Sequence, residues 1–247
     1  MSALYDTIGK GYADYRKPDP RIASAIVNAL GDAQSVVNIG AGTGSYEPTD
    51  RNVVAVEPSS KMIAQRPPDA ARVEQASATA LPFKDKCFDA ALAVLTVHHW
   101  PDQVRGLKEM ARVARQRCVV LTWEVPQTPF WLTRDYFPQI LEHDRKTFTL
   151  DAYREAFGTF KKRVVPIPYD CTDGFLCAYW RRPEMYFDPG ARLAISSFSR
   201  LGDVSAALAR LRRDLDDGTW LQRNADVLRE TELDLGYRLV IATPKQD

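Results

Sequence analysis

Between residue 20 and about residue 125, short apolar runs alternate with stretches of helical periodicity, and few folds accept that alternation. VVNIG (36–40), VVAVE (53–57), RVEQA (72–76), FDAALAVLTV (88–97) and CVVLTWE (118–124) read as strands. Between them, residues 21–30 place apolar side chains at 22, 23, 26, 27 and 30, which is one face of a helix. A Ser-initiated helix is expected from 59 to about 65, and another from 101 to 112. Strands that are apolar on both faces and separated by helices build a parallel sheet covered on both sides. This half of the chain is therefore expected to be a doubly wound α/β domain.

Beyond Glu124 the texture changes: residues 126–200 hold many of the aromatics, broken by prolines into short elements. Two strand-like pieces remain, RVVPIPYD (163–170) and GYRLVIAT (236–243), and both are expected to complete the sheet. The stretch between them, residues 171–234, is expected to be a helical cap over the sheet's carboxyl edge. Its clearest helix, SAALARLRRDLDDG, ends at Gly218 and has Asp203 as a cap candidate. The sheet domain then spans 20–170 and 235–247.

Charge narrows the partners. Lys and Arg number 33, Asp and Glu 32, and they interleave, so no basic face for nucleic acid is expected. The four cysteines lack the CxxC spacing of a zinc or redox site and read as free thiols. The chain opens without a secretory pattern and holds no apolar run near the ~20 residues that cross a bilayer, which predicts a cytoplasmic protein with no membrane contact. Oligomeric state leaves no mark.

Gly40, Gly42 and Gly44 follow the first strand, at the edge where open parallel sheets bind ligands. They allow a tight turn and a close backbone approach. Glu57, 17 positions after Gly40, ends the next strand and is placed to accept both hydroxyls of a ribose. A dinucleotide fingerprint would need G-x-G-x-x-G/A and a long helix for the diphosphate. Here Ser45 takes the third-glycine position, and Pro48 leaves room for only a turn or two of helix before the next strand. The spacing favours a nucleoside cofactor without phosphates.

Through VVNIGAGTG, VAVEPSSKMI, SATALPFKDKCFDAALAVLTVHHW and LKEMARVARQRCVVLTW, in that order and spacing, residues 4 to about 124 resemble the class I S-adenosylmethionine-dependent methyltransferases, particularly the small-molecule enzymes of the methyltransferase type 11 group. The resemblance implies a mostly parallel, seven-stranded Rossmann-like sheet whose last strand is antiparallel. It implies that Gly40, Ala41 and Gly42 lie along the methionine part of S-adenosyl-L-methionine, that Glu57 binds its ribose, and that Pro58 and Met62 lie near its adenine. Ser77 and Ala78 stand where the family often has Asp-Ala at the adenine, and Asn38 where an acid usually sits near the cofactor's amino group. Leu95 and Thr96 would face the sulfonium. Residues 1–19 resemble the segment these enzymes fold over the cofactor, with Arg16 as carboxylate partner beside Tyr5 or Tyr12.

Methyl transfer from a sulfonium needs alignment and dryness more than covalent help. His98 and His99, just past the fourth strand, are the candidates for a general base or an orienting group, against a purely structural helix-capping role. No third ligand is spaced to make them a metal site. Trp123, Trp131, Tyr136 and Trp180, with Phe130 and Tyr179, are expected to wall a pocket for a small-molecule methyl acceptor, or else to be cap core. Asp170 and Asp173 follow a strand and are candidates to bond the acceptor or to cap a helix; Arg181 and Arg182 would suit an anionic one. The expected activity is methyl transfer to O, N or C of a small molecule. Two other readings stay open: a module that binds S-adenosylmethionine without turnover, and a nicotinamide-dependent oxidoreductase, which the glycine spacing opposes.

Overall fold

A computed structural model describes residues 12–147 and 150–244. Seven strands form one sheet: β1 (Ser35–Ile39), β2 (Asn52–Val56), β3 (Arg72–Glu74), β4 (Phe88–Val94), β5 (Ala114–Trp123), β6 (Lys161–Val164) and β9 (Tyr237–Ala242). Their order is β3-β2-β1-β4-β5-β9-β6, and β9 alone runs against the direction of the other six. The order reverses beside β1, which puts the crevice at the carboxyl ends of β1 and β4.

Strand parity divides the interior. Val36, Leu92, Val119 and Leu121 face one side, against α1 (Pro20–Leu30) and the cap, while Val37, Ala91, Ala93 and Val120 face α3 (Gln103–Val113) and α5 (Asp151–Phe157). Both long helices start where the chain supplies a carboxylate: Asp19 accepts from the Arg21 N–H and Asp102 from the Arg105 N–H, each at 2.9 Å. Ile22, Ile26, Ala29 and Leu30 form the buried face of α1. Ser59 caps the short α2 (Ser60–Ala64). Among the described residues no helix is long and apolar enough to cross a membrane.

Two expectations need correction. RVVPIPYD does not enter the sheet whole. Only β6 does; β7 (Ile167–Pro168) pairs instead with β8 (Glu232–Leu233) in a separate ribbon at the neck of the cap. Pro166 and Pro168 lack the N–H groups that continued pairing would need. The connection from β1 to β2 contains no helix at all, only turns, because Gly40, Gly42, Gly44 and Tyr46 all take positive φ and Pro48 follows.

The layer over the carboxyl edge also has a second contributor. A π-helical turn (Leu132–Tyr136) and α4 (Pro138–Thr147) precede β6, and their aromatics pack with those of the later excursion. Trp131 meets Tyr136, Tyr186 and Trp220 edge to face at 5.2–6.1 Å, and Phe137 meets Phe198 at 5.1 Å. The excursion's helix, α6 (Ser205–Asp216), is followed by Gly218 in the left-handed region, and Asp203 accepts from the N–H and hydroxyl of Ser205.

Candidate active site

The glycine loop and the ends of β2 and β4 enclose a cavity of about 190 Å³. Its rim and floor include Arg16, Asn38, Gly40, Ala41, Gly42, Glu57, Pro58, Met62, Ser77, Ala78, Leu95 and Thr96, which are all twelve cofactor candidates of the sequence. The loop is held from both ends. The Gly40 and Ala41 N–H groups donate to the Val56 carbonyl, and the Glu57 carboxylate accepts from Gly42 N–H and Ser59 N–H, both at 2.9 Å. Gly40 is irreplaceable on two counts: its φ is +71°, and a Cβ there would fall 2.2 Å from Thr96 Oγ1. The backbone is thereby pressed against the end of β4, where Leu95 is itself left-handed at φ +50°.

Asn38 is buried, and its environment explains why it is not an acid. Its Nδ2 donates to Glu47 Oε1 at 3.3 Å, and its Oδ1 has no hydrogen-bond partner among the described residues. Glu47 is itself buried against Arg66, which donates to both carboxylate oxygens at 2.8 Å and to the Gly42 carbonyl. A second carboxylate at position 38 would face Glu47 in a nearly dry site. The negative charge beside Asn38 is that of Glu47, in a pair with Arg66 that braces the loop.

Arg16 forms a buried ion pair with Asp173, to which Tyr46 also donates at 2.9 Å. Residues 16 and 173 are joined by a β-bridge, and the Gly174 N–H donates to the Tyr15 carbonyl. The N-terminal segment, the glycine loop and the cap therefore meet at one carboxylate. Tyr5 and the side chain of Tyr12 lie outside the described residues.

A second cavity of about 60 Å³ adjoins the first and shares Arg16 and Leu95 with it. His98, Trp123, Asp144, Phe175, Leu176, Ile195, Ser196, Ser197 and Tyr237 complete its wall. The two histidines divide between the cavities: His99 lines the outer and His98 the inner, with ring centroids 3.8 Å apart on the turn Val97–His99. Burial, reinforced by Arg200 and Arg16, lowers His99 to about 4; burial and the neighbouring His99 hold His98 well below the usual imidazole range. Both are neutral near pH 7, so they are poor proton stores and serve better as hydrogen-bonding groups. Asp144 goes the other way, raised by burial to about 6 although Arg200 lies 3.2 Å away.

Of the acceptor-pocket candidates, Trp123 lines the inner cavity, with its indole N–H on the Leu235 carbonyl. The others do not. Trp131 and Trp180 spend their indole N–H groups on the Trp180 carbonyl and on the Ile167 and Pro168 carbonyls, and Tyr136 donates to Asp214, all inside the cap core. Asp170 is exposed and paired with Arg21 at 2.7 Å, outside both cavities. Arg181 and Arg182 lie over the rings of Tyr169 and Tyr179. Asp173 lines neither cavity and holds Arg16. Tyr237 was missed although a signal existed: an antiparallel β9 begins where the parallel strands end, which sets Tyr237 opposite Trp123.

Comparison with known proteins places this geometry. A family model described as a methyltransferase domain matches residues 37–122. A crystal structure from Anabaena variabilis ATCC 29413, described as a methyltransferase from an antibiotic biosynthesis pathway, is 32% identical, covers 94% of this chain and 100% of its own, and superposes with a TM-score of 0.86. The chain belongs to the class I S-adenosylmethionine-dependent methyltransferases. This methyltransferase is also 27% identical over 107 residues to the uncharacterized methyltransferase YcgJ of Bacillus subtilis (strain 168), a match spanning 38% of the chain and 42% of that curated relative. The [4+2]-cyclase SpnF, 16% identical with a TM-score of 0.54 over 99% of this chain and 94% of its own, shares the fold alone. The methyltransferase sheet therefore supports more than one chemistry.

Proposed function

We propose that the chain binds S-adenosyl-L-methionine in the outer cavity and methylates a small molecule held in the inner one. The observation that carries this is adjacency: the glycine-loop cavity and a smaller cavity of about 60 Å³ with a mostly apolar wall share Arg16 and Leu95 as lining residues. A space of that size takes a small acceptor group and not a macromolecular surface. When bound, the cofactor supplies a methyl group on a positively charged sulfur.

The residues present fit that group. Gly40, Ala41 and Gly42 put nearly bare backbone along the cavity, and the turn that they belong to carries no helix for a diphosphate, which also speaks against a nicotinamide dinucleotide. Glu57 presents a carboxylate for the ribose while fixing the loop. Asn38 offers a buried acceptor that lacks a donor, suited to the cofactor's amino group. Arg16 offers a cation for its carboxylate, next to Asp173. Neutral His98 orients the acceptor, and Trp123 and the cap exclude water.

Calorimetry with S-adenosylmethionine, S-adenosylhomocysteine and NAD tests the reading. Both adenosyl compounds are expected to bind and NAD not. Glu57→Ala should weaken S-adenosylhomocysteine by at least tenfold, and methyl-labelled cofactor incubated with cell extract should yield a labelled small molecule. Binding of NAD alone would refute the assignment.

A further inference from the structure

The inner cavity is selective in its chemistry. Trp123, Phe175, Tyr237, Leu176 and Ile195 make most of its wall apolar, and the rings of Phe175 and Tyr237 stand 4.4 Å apart. Its carboxylate is Asp144 on α4, only 1% exposed. Arg200 reaches Asp144 Oδ1 through one contact of 3.2 Å and is not part of the lining, so the cavity meets the anionic member of that pair. Arg16, paired with Asp173, lines both cavities and serves the cofactor's carboxylate in the proposed function, so with cofactor bound it is not offered to an acceptor; Ser196 and Ser197 add neutral hydroxyls to the wall. A single contact compensates little of a buried carboxylate's lost hydration, in keeping with the raised Asp144 carboxyl. The adjacent imidazole of His98 is neutral and adds no charge.

Such a wall rewards a donor and penalises an anion. An alcohol would gain one hydrogen bond to Asp144. An amine would gain that bond and, when protonated, the attraction of the aromatic faces as well. A carboxylate would bring a second negative charge beside a buried first one. We propose that the inner cavity takes a compact, largely apolar amine as methyl acceptor, held by an N–H hydrogen bond to Asp144 against Trp123, Phe175 and Tyr237, and that it rejects carboxylate-bearing molecules. The amine would react in its neutral form: its lone pair would form the N–C bond as the cofactor's S–C bond to the methyl group breaks, leaving S-adenosylhomocysteine, and the proton lost from nitrogen would go to the Asp144 carboxylate. This rests on the methyltransferase reading of the outer cavity.

The test uses the full chain and calorimetry with three probes of one shape: benzylamine, benzyl alcohol and benzoate, with and without saturating S-adenosylhomocysteine. S-adenosylhomocysteine binding is measured separately, so a failure of the cofactor assignment is distinguishable from a failure of the amine assignment. Benzylamine is expected to bind at least tenfold more tightly than benzoate. Asp144→Asn should weaken benzylamine at least tenfold and leave S-adenosylhomocysteine affinity within twofold. Should that variant not fold, the comparison of the three probes on the wild-type protein decides alone. Benzoate binding as well as benzylamine, no binding of any probe, or an unchanged benzylamine affinity in Asp144→Asn overturns the proposal.

Discussion

Asn38 and Glu47 exchange roles that one acid would otherwise combine, and the exchange is testable by reversing half of it. Asn38→Asp would set a second carboxylate near Glu47 Oε1, which the Asn38 amide now approaches to 3.3 Å, in a buried site where Arg66 already serves one acid. The variant should lose about 1 to 3 kcal/mol at pH 7, which denaturant unfolding measures; an unchanged stability would show that the two carboxylates do not meet. His99 contributes a pH dependence of its own. Its imidazole is lowered from about 6.5 to about 4, so below pH 6.5 the unfolded chain gains a proton that the native chain refuses. The stabilisation is complete above pH 6.5 and drains as pH falls toward 4, and His98 acts in the same sense. Asp144 opposes them, since its raised carboxyl stabilises in full below about pH 4 and loses that contribution as pH rises through 6. His99→Asn is therefore expected to reduce the stability lost between pH 7 and pH 4.5 by about 2 kcal/mol, again by denaturant unfolding.

Helix α3 illustrates packing overruling propensity. Gly106 sits inside it, and a Gly-to-Ala change in a helix interior ordinarily stabilises by about 1 kcal/mol. Here an added Cβ would lie 2.4 Å from Trp100 Cε3, and Trp100 is a wall of the outer cavity. Overpacking costs about 1 to 3 kcal/mol, so Gly106→Ala should melt at a lower temperature and bind S-adenosylhomocysteine more weakly; a stabilised variant would show that Trp100 can yield. Elements of this kind were legible because each carries its own period and caps: the strands to β5, α1, α2 and α3 all lie within a few residues of the positions expected from the sequence. The failures share a cause as well. Pro166 cut a run that looked continuous, and the helix expected after the glycines lost to backbone angles that only a folded loop displays. The Rossmann-like sheet could be read; which aromatics of the cap face a cavity and which face one another could not. Trp131, Tyr136 and Trp180 are chemically suited to either, and only long-range packing assigns them to the core.

Three separated parts of the chain meet at Asp173, and the protein's response to cofactor should reflect that. Arg16 and Tyr46 both depend on this carboxylate, so Asp173→Asn leaves a largely buried guanidinium without its counter-charge, at a cost of about 3 kcal/mol. Hydrogen exchange should accelerate together in residues 14–19 and 171–180 while β2 and β3 stay protected; acceleration confined to one segment would deny the coupling. The outer cavity was legible residue by residue because the glycine loop and Glu57 are neighbours in sequence as well as in space. The inner cavity draws on Arg16, the turn after β4, β5, α4, the cap and β9, and no window of sequence contains it. The same strand order has a consequence in time. Strand β9 lies between β5 and β6, which do not pair with each other, yet it follows both in the chain by more than 70 residues. A ribosome making this protein must release all of the cap before the sheet can close, and until then β5 presents a bare hydrogen-bonding edge and β6 has no strand to pair with. The nascent chain is thus most exposed to mispairing until β9 emerges, and a chaperone that shields strand edges would matter most in that interval.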